Sequence, residues 1–192
     1  MGHLRRTASL VAAFGFVACQ APIDPVSTDA ADLSLSELST TAGGVVAATA
    51  GHGTYLLSGV LEIDFNWNVF MGADGRATGT FHQSLLLDDL LISFDGKLTC
   101  LAVDPENHRA WVGGVVTQND SEHPDFLTDI TEPGDDVWFR VLDEPGNDRS
   151  TFLGFEGAAD IITSEEYCEA RIWPDNNDRT HPVIEGSIAV RP

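Results

Sequence analysis

The stretch Glu62-Ile-Asp-Phe-Asn-Trp-Asn-Val69 constrains this chain more than any other feature. Polar and apolar residues alternate without a break across it. A helix would throw the apolar side chains to opposite sides. A strand puts Ile63, Phe65, Trp67 and Val69 on one face and Glu62, Asp64, Asn66 and Asn68 on the other. Asp74-Gly75 then marks a hairpin turn. A second strand follows over residues 76–87, Asp88-Asp89 breaks it, and a third run covers 90–103 with a pause at Asp95-Gly96. Asp104-Pro-Glu-Asn107 reads as a turn and 110–117 as a strand, in which Gly113-Gly114 marks a bulge or a sharp bend, as at a barrel corner. Residues 118–136 form an acidic loop, 137–142 a strand, and Glu144-Pro-Gly-Asn-Asp148 a further turn. A short helix fits 163–170, where Thr163 and Glu166 stand at capping-box spacing, and 183–190 is the last strand. Seven or eight short strands with turns between them predict an all-β fold, an antiparallel small barrel or sandwich. A membrane-spanning barrel would need an outward apolar band that these acidic strands lack.

The N-terminus obeys different rules. Residues 1–18 carry the three parts of a signal peptide: a basic start at Arg5-Arg6, an apolar run over 8–18, and small residues at its end. The run is far shorter than the ~20 residues that cross a bilayer. Thr7-Ala8-Ser9 lacks the apolar pair expected of a twin-arginine signal. Phe16-Val17-Ala18-Cys19 resembles the lipobox of bacterial lipoproteins. That resemblance implies that the Cys19 thiol receives a diacylglycerol and that the chain is cut just before it. Two or more acyl chains anchor stably where one does not. Ordinary cleavage after Ala18 would place Phe16 where a small residue is wanted, and cleavage after Ala21 is the remaining alternative. Gln20, rather than Asp, follows the cysteine, which by the same resemblance implies the outer membrane in a two-membrane bacterium.

Residues 19–44 read as the lipidated cysteine and a flexible tether. Pro22, Pro25, Gly43-Gly44 and many Ser and Thr cannot bury enough apolar surface to fold alone. As a coil the ends would sit about 25–30 Å apart. Leu33, Leu35 and Leu38 leave room for a short docking segment. Residues 45–192 remain as a single β domain, an ordinary domain size.

Charge narrows the partners. The chain has 30 acidic residues against 10 Lys and Arg, a net charge of −20, and Arg5 and Arg6 lie in the leader. Such a surface repels nucleic acid and anionic headgroups, so the membrane is a partner only through the lipid. With Cys19 assigned to lipid, Cys100 and Cys168 are an even pair in an oxidising compartment and read as a disulfide. A loop that long contributes about 4 kcal/mol in the chain-entropy account. The alternative for Cys100, inside an apolar strand, is a buried free thiol.

Readable catalytic chemistry is missing. There is no Gly-x-Ser-x-Gly and no Gly-rich phosphate loop. His52, His82, His108, His123 and His181 lack metal-binding helical spacing, and His108 and His181, in expected turns, read as surface residues. Carboxylates are too abundant to single out the pair a glycosidase needs. Asp64, Asn66 and Asn68 could line a polar cavity but read as the solvent face of a strand. Asp175-Asn-Asn-Asp178 offers oxygen ligands suited to Ca²⁺, without the spaced glycine and distal Glu of a calcium loop. No catalytic residue, metal site or cofactor is assigned. Trp67, Trp111, Trp138 and Trp173 could make a sugar-stacking platform, although three of them lie in expected strands, where core packing is the alternative.

Residues 51–150 carry a second resemblance. Phe94-Asp-Gly-Lys-Leu-Thr-Cys-Leu-Ala-Val103, Arg109-Ala-Trp-Val-Gly-Gly-Val-Val-Thr117 and Val137-Trp-Phe-Arg-Val-Leu-Asp-Glu-Pro-Gly146 are similar to an uncharacterised group of bacterial secreted proteins. The resemblance implies a secreted β domain with Cys100 in a bridge, and no activity. Three functions follow as expectations. The first is a membrane-anchored, non-catalytic envelope lipoprotein whose β domain binds a ligand or partner or serves a structural role. The others are a lipocalin-like small-molecule carrier and an extracellular enzyme acting on carbohydrate.

Overall fold

A computed structural model describes residues 44–174 and 177–192. The leader, Cys19, the tether up to residue 43 and Asp175-Asn176 of the proposed calcium run lie outside the described residues. Nine strands run through the rest: β1 (Val45–Leu57), β2 (Leu61–Gly72), β3 (Ala77–Leu87), β4 (Leu90–Asp104), β5 (Arg109–Asn119), β6 (Asp136–Leu142), β7 (Arg149–Ser150), β8 (Gly154–Phe155) and β9 (His181–Arg191). One α-helix, α1 (Ser164–Ala170), accompanies them.

From β1 to β6 each strand pairs antiparallel with the next, β7 and β8 both pair with β6, and β9 bridges β7 and β1. The sheet therefore closes on itself. The choice between sandwich and barrel is resolved as an all-β ring of antiparallel strands. Closure removes the free edges that would otherwise template aggregation.

Alternation predicts the faces correctly. Ile63, Phe65, Trp67 and Val69 are buried and their polar neighbours Glu62, Asp64 and Asn66 are exposed. The first half of β1 carried no strand expectation, because Val45-Val-Ala-Ala-Thr-Ala-Gly51 has no polar–apolar rhythm. Its small residues have a packing reason: Gly51 lies directly across from Trp67, and a Cβ there would collide with the indole ring. The strands β7 and β8, two residues each, were also unforeseen in the irregular stretch after the Glu144–Asp148 turn.

Aromatic rings fill the inside. Phe65 stacks on Trp67 at 4.7 Å between centroids, Trp67 meets Phe139 at 5.0 Å, and Phe94 meets Phe155 at 5.3 Å. Polar groups share this interior. Tyr55 Oη lies 3.3 Å from both Gln83 Oε1 and the Thr151 carbonyl. The acidic loop is an ordered segment: Asn119 Nδ2 donates to the carbonyls of Phe126 and Thr131 at 2.8 and 2.9 Å. That seats Phe126 against Phe94 and Phe152 of the core.

A second, smaller core lies outside the barrel. β4 overruns β3 beyond Leu98, so Cys100 and Ala102 pair only with β5. The register slips between Leu98 and Cys100, opposite Gly114 and Gly113, which is the bulge those glycines predicted. Trp111, Trp138 and Ala102 turn outward here and are covered by Tyr167, Cys168 and Ile161. Trp138 stacks on Tyr167 at 5.6 Å, and Trp111 Nε1 donates to the Ile172 carbonyl at 3.0 Å. The helix begins with the expected capping box between Thr163 and Glu166. Cys100 and Cys168 are joined in a disulfide, Cα atoms 6.2 Å apart, which staples α1 to the wall.

Candidate functional site

The outer wall of a barrel is convex, and a hollow in it needs a cause. One hollow of about 270 Å³ lies across β2 to β5, lined by Asn66, Thr80, Phe81, His82, Asp95, Gly96, Lys97 and Thr117. Its position follows from local structure. Asp88 and Asp89 form a two-residue turn with φ of 52° and 64°, the left-handed pair of a type I′ hairpin. Leu87 then faces Leu90, and counting back along both strands sets His82 opposite Asp95 and Thr80 opposite Lys97. On the next strand the register slips: Asp95 pairs with Gln118 and Gly96 with Val116, leaving Thr117 as the extra residue of a bulge. The pause expected at Asp95-Gly96 is this bulge inside a continuous strand. Thr117 Oγ1 donates to the Asp95 carbonyl at 3.2 Å and holds it in place.

Within the hollow, His82 Nδ1 lies 3.0 Å from Asp95 Oδ1, with both side chains 43% exposed. A carboxylate acceptor assigns the Nδ1 proton and leaves Nε2 as the ring's second polar atom. Asn66 sits beside His82 in register on β2. The face that alternation assigned to solvent thus contributes a wall of the hollow. Asp64, on the same face, accepts a 2.9 Å hydrogen bond from Thr54 Oγ1.

The other singled-out residues are dispersed. Trp67 is inside the barrel and Trp111 and Trp138 lie beneath α1, which leaves no tryptophan platform among these three. Trp173 is half-buried with the Arg179 guanidinium 4.2 Å above its ring. His108 is exposed, in a turn with φ of 52°. His181 departs from the surface reading: it opens β9 and stacks on Tyr55, ring planes 8° apart. Burial and the nearby Arg149 hold its pKa below the ordinary range. His181 is half-buried and His123 buried, its Nδ1 accepting from the Asp125 amide at 3.3 Å. Of the Asp/Asn run, Asn177 gives its carbonyl to Thr180. Among the described residues no group of three His, Cys, Asp or Glu is arranged to hold a metal.

Two carboxylates that spacing could not pick out have structural tasks. Beyond its short pairing with β7, β9 presents amides to a turn instead of a strand. Asp148 accepts from the Ile188 N–H at 2.8 Å and Asp143 from the Val190 N–H at 2.9 Å. Desolvation, and to a lesser extent the neighbouring Asp143 and Glu144, raises the Asp148 pKa despite that hydrogen bond. No family model, curated protein or solved structure matches the chain.

Proposed function

We propose that this protein is a bacterial envelope lipoprotein, anchored through diacylglycerol on Cys19, whose barrel is a non-catalytic binding module held off the membrane by residues 20–44. The observation that carries this reading is Phe16-Val17-Ala18-Cys19 at the end of a basic-then-apolar leader. The Cys100–Cys168 disulfide supports it, since such bonds persist in oxidising compartments. The wide net negative charge supports attachment by lipid rather than by protein contact with anionic headgroups. The aromatic fill of the interior speaks against the lipocalin-like alternative, because a carrier needs room inside its ring. Asp143 and Asp148 are spent on strand amides, which weakens them as an acid–base pair for the carbohydrate-enzyme alternative.

Mass spectrometry of the mature N-terminus tests the reading. The expected product begins at Cys19 and carries the mass of a diacylglycerol, and Cys19→Ala releases the barrel from the membrane fraction. An unmodified chain beginning at Cys19 or Pro22 refutes it.

A further inference from the structure

We infer that the bulged hollow on the outer wall binds a sugar acid of monosaccharide size, a carboxylate carried beside several hydroxyls. The inference rests on reading the barrel as a binding module and is independent of the lipid anchor. Three observations lead to it. The hollow is built by the Thr117 bulge, and bulges recur beside functional sites, where they re-aim side chains. Its volume of about 270 Å³ falls just under the roughly 300–1,000 Å³ of drug-sized sites, which sets the ligand at about one ring. Its chemistry mixes donors and acceptors. Asp95 meets His82 through one carboxylate oxygen; the Lys97 ammonium, the Asn66 amide and the Thr80 hydroxyl can donate into the space, while His82 Nε2, the second Asp95 oxygen and the Thr117 oxygen, whose proton goes to the Asp95 carbonyl, can accept.

Lys97 is the one lysine in 192 residues of net charge −20. An ammonium meets a carboxylate as a point charge without demanding a fixed fork of partners. Hydroxyls and a primary amide both donate and accept, which suits the hydroxyls of a sugar. Phe81 and His82 are the two rings in the lining; Phe81 is buried and His82 is turned to Asp95, so recognition comes from charge and hydrogen bonds rather than stacking.

The single lysine makes the test direct. The full-length protein carrying ¹³C,¹⁵N-lysine gives one side-chain signal set, which is followed while D-glucuronate, D-glucose or acetate is added. Glucuronate is expected to shift the Lys97 signals saturably, with an affinity at least about tenfold above either control. Calorimetry should show glucuronate binding weakened about tenfold in Lys97→Met, the loss of one charge-assisted contact. In Asn66→Ala, glucuronate should weaken while acetate is unaffected, and both variants should melt with the parent. Absence of a saturable shift, equal affinity for acetate or glucose, or unchanged binding by Lys97→Met overturns the inference. None of these outcomes alters the mass of the mature N-terminus, so this inference and the anchor fail separately.

Discussion

At the scale of single residues, packing is set by pairs that meet across strands. Gly51→Ala should destabilise by about 1–3 kcal/mol, because Trp67 occupies the space its Cβ needs; a urea melt matching the parent would contradict this. His181 gives a pH signature. Its folded pKa is depressed, so the barrel favours the neutral ring. Near pH 7 the unfolded chain is mostly neutral there as well. As pH falls through about 6.5 the unfolded chain takes the proton first, and stability is lost until the folded ring is protonated too. The fall in melting temperature from about pH 7 to 5 should therefore be smaller in His181→Phe, which keeps a ring against Tyr55. Equal falls in the two proteins would exclude this role. Alternation revealed which side Trp67 faces but not that Gly51 receives it. That depends on the β1–β2 register, which no rhythm within β1 announces. The surface expectation for His181 holds only in part, for a related reason: its neighbours Thr180 and Pro182 look like a turn, while its partial burial comes with Tyr55, far away in the chain.

At the scale of elements, turns decide more than strands. Asp88 and Asp89 both occupy the left-handed region, which non-glycine residues resist. Replacing them with Asn-Gly should stabilise the protein by up to about 1 kcal/mol, read as a higher urea midpoint at unchanged slope. A lower midpoint would show that the aspartates have another task. This hairpin also explains how far the hollow was legible. A two-residue turn fixes partners by counting, so His82 opposite Asp95 was available in principle. The bulge at Thr117 was announced only by the Asp95-Gly96 pause on the facing strand, because an extra residue changes register without leaving a mark in its own strand. The α1 capping box was legible since it is local, whereas its dock on Trp111 and Trp138 needed the β4 overhang. Cys100 and Cys168 pair by count and compartment, with the resemblance adding only that Cys100 is bridged. Reducing their bond should cost up to about 4 kcal/mol, and should first release α1, seen as loss of the Trp138–Tyr167 near-ultraviolet signal.

At the scale of the molecule, the charge sets the conditions under which the barrel holds. With a net charge of −20 the folded chain repels itself. Raising ionic strength from about 0.01 to about 1 M shortens the screening length from about 30 to about 3 Å and should raise the melting temperature. A flat response would mean that the acids are already compensated. One unfavourable charge lies where β9 meets the β6–β7 turn. Asp148 sits there, desolvated beside Asp143 and Glu144. Asp148→Asn keeps an acceptor for the Ile188 amide and removes a charge, so it should leave stability unchanged or raise it by less than about 1 kcal/mol near neutral pH. Since the folded pKa is raised, the parent should gain on the variant as pH falls through that raised value toward 4.

The seam has a consequence in time. Among the described strands β1 is made first and β9 last, yet they lie side by side, and Thr49 Oγ1 bonds the Ala189 carbonyl across 140 positions of chain. Synthesis can lay down β1 to β6 in order, each strand finding the one just made, but the ring cannot shut until β9 arrives. Closure is then timed by β9, on the slow scale of non-local strand pairing. A chain interrupted before β9 would be left as an open sheet, β1 without its β9 partner.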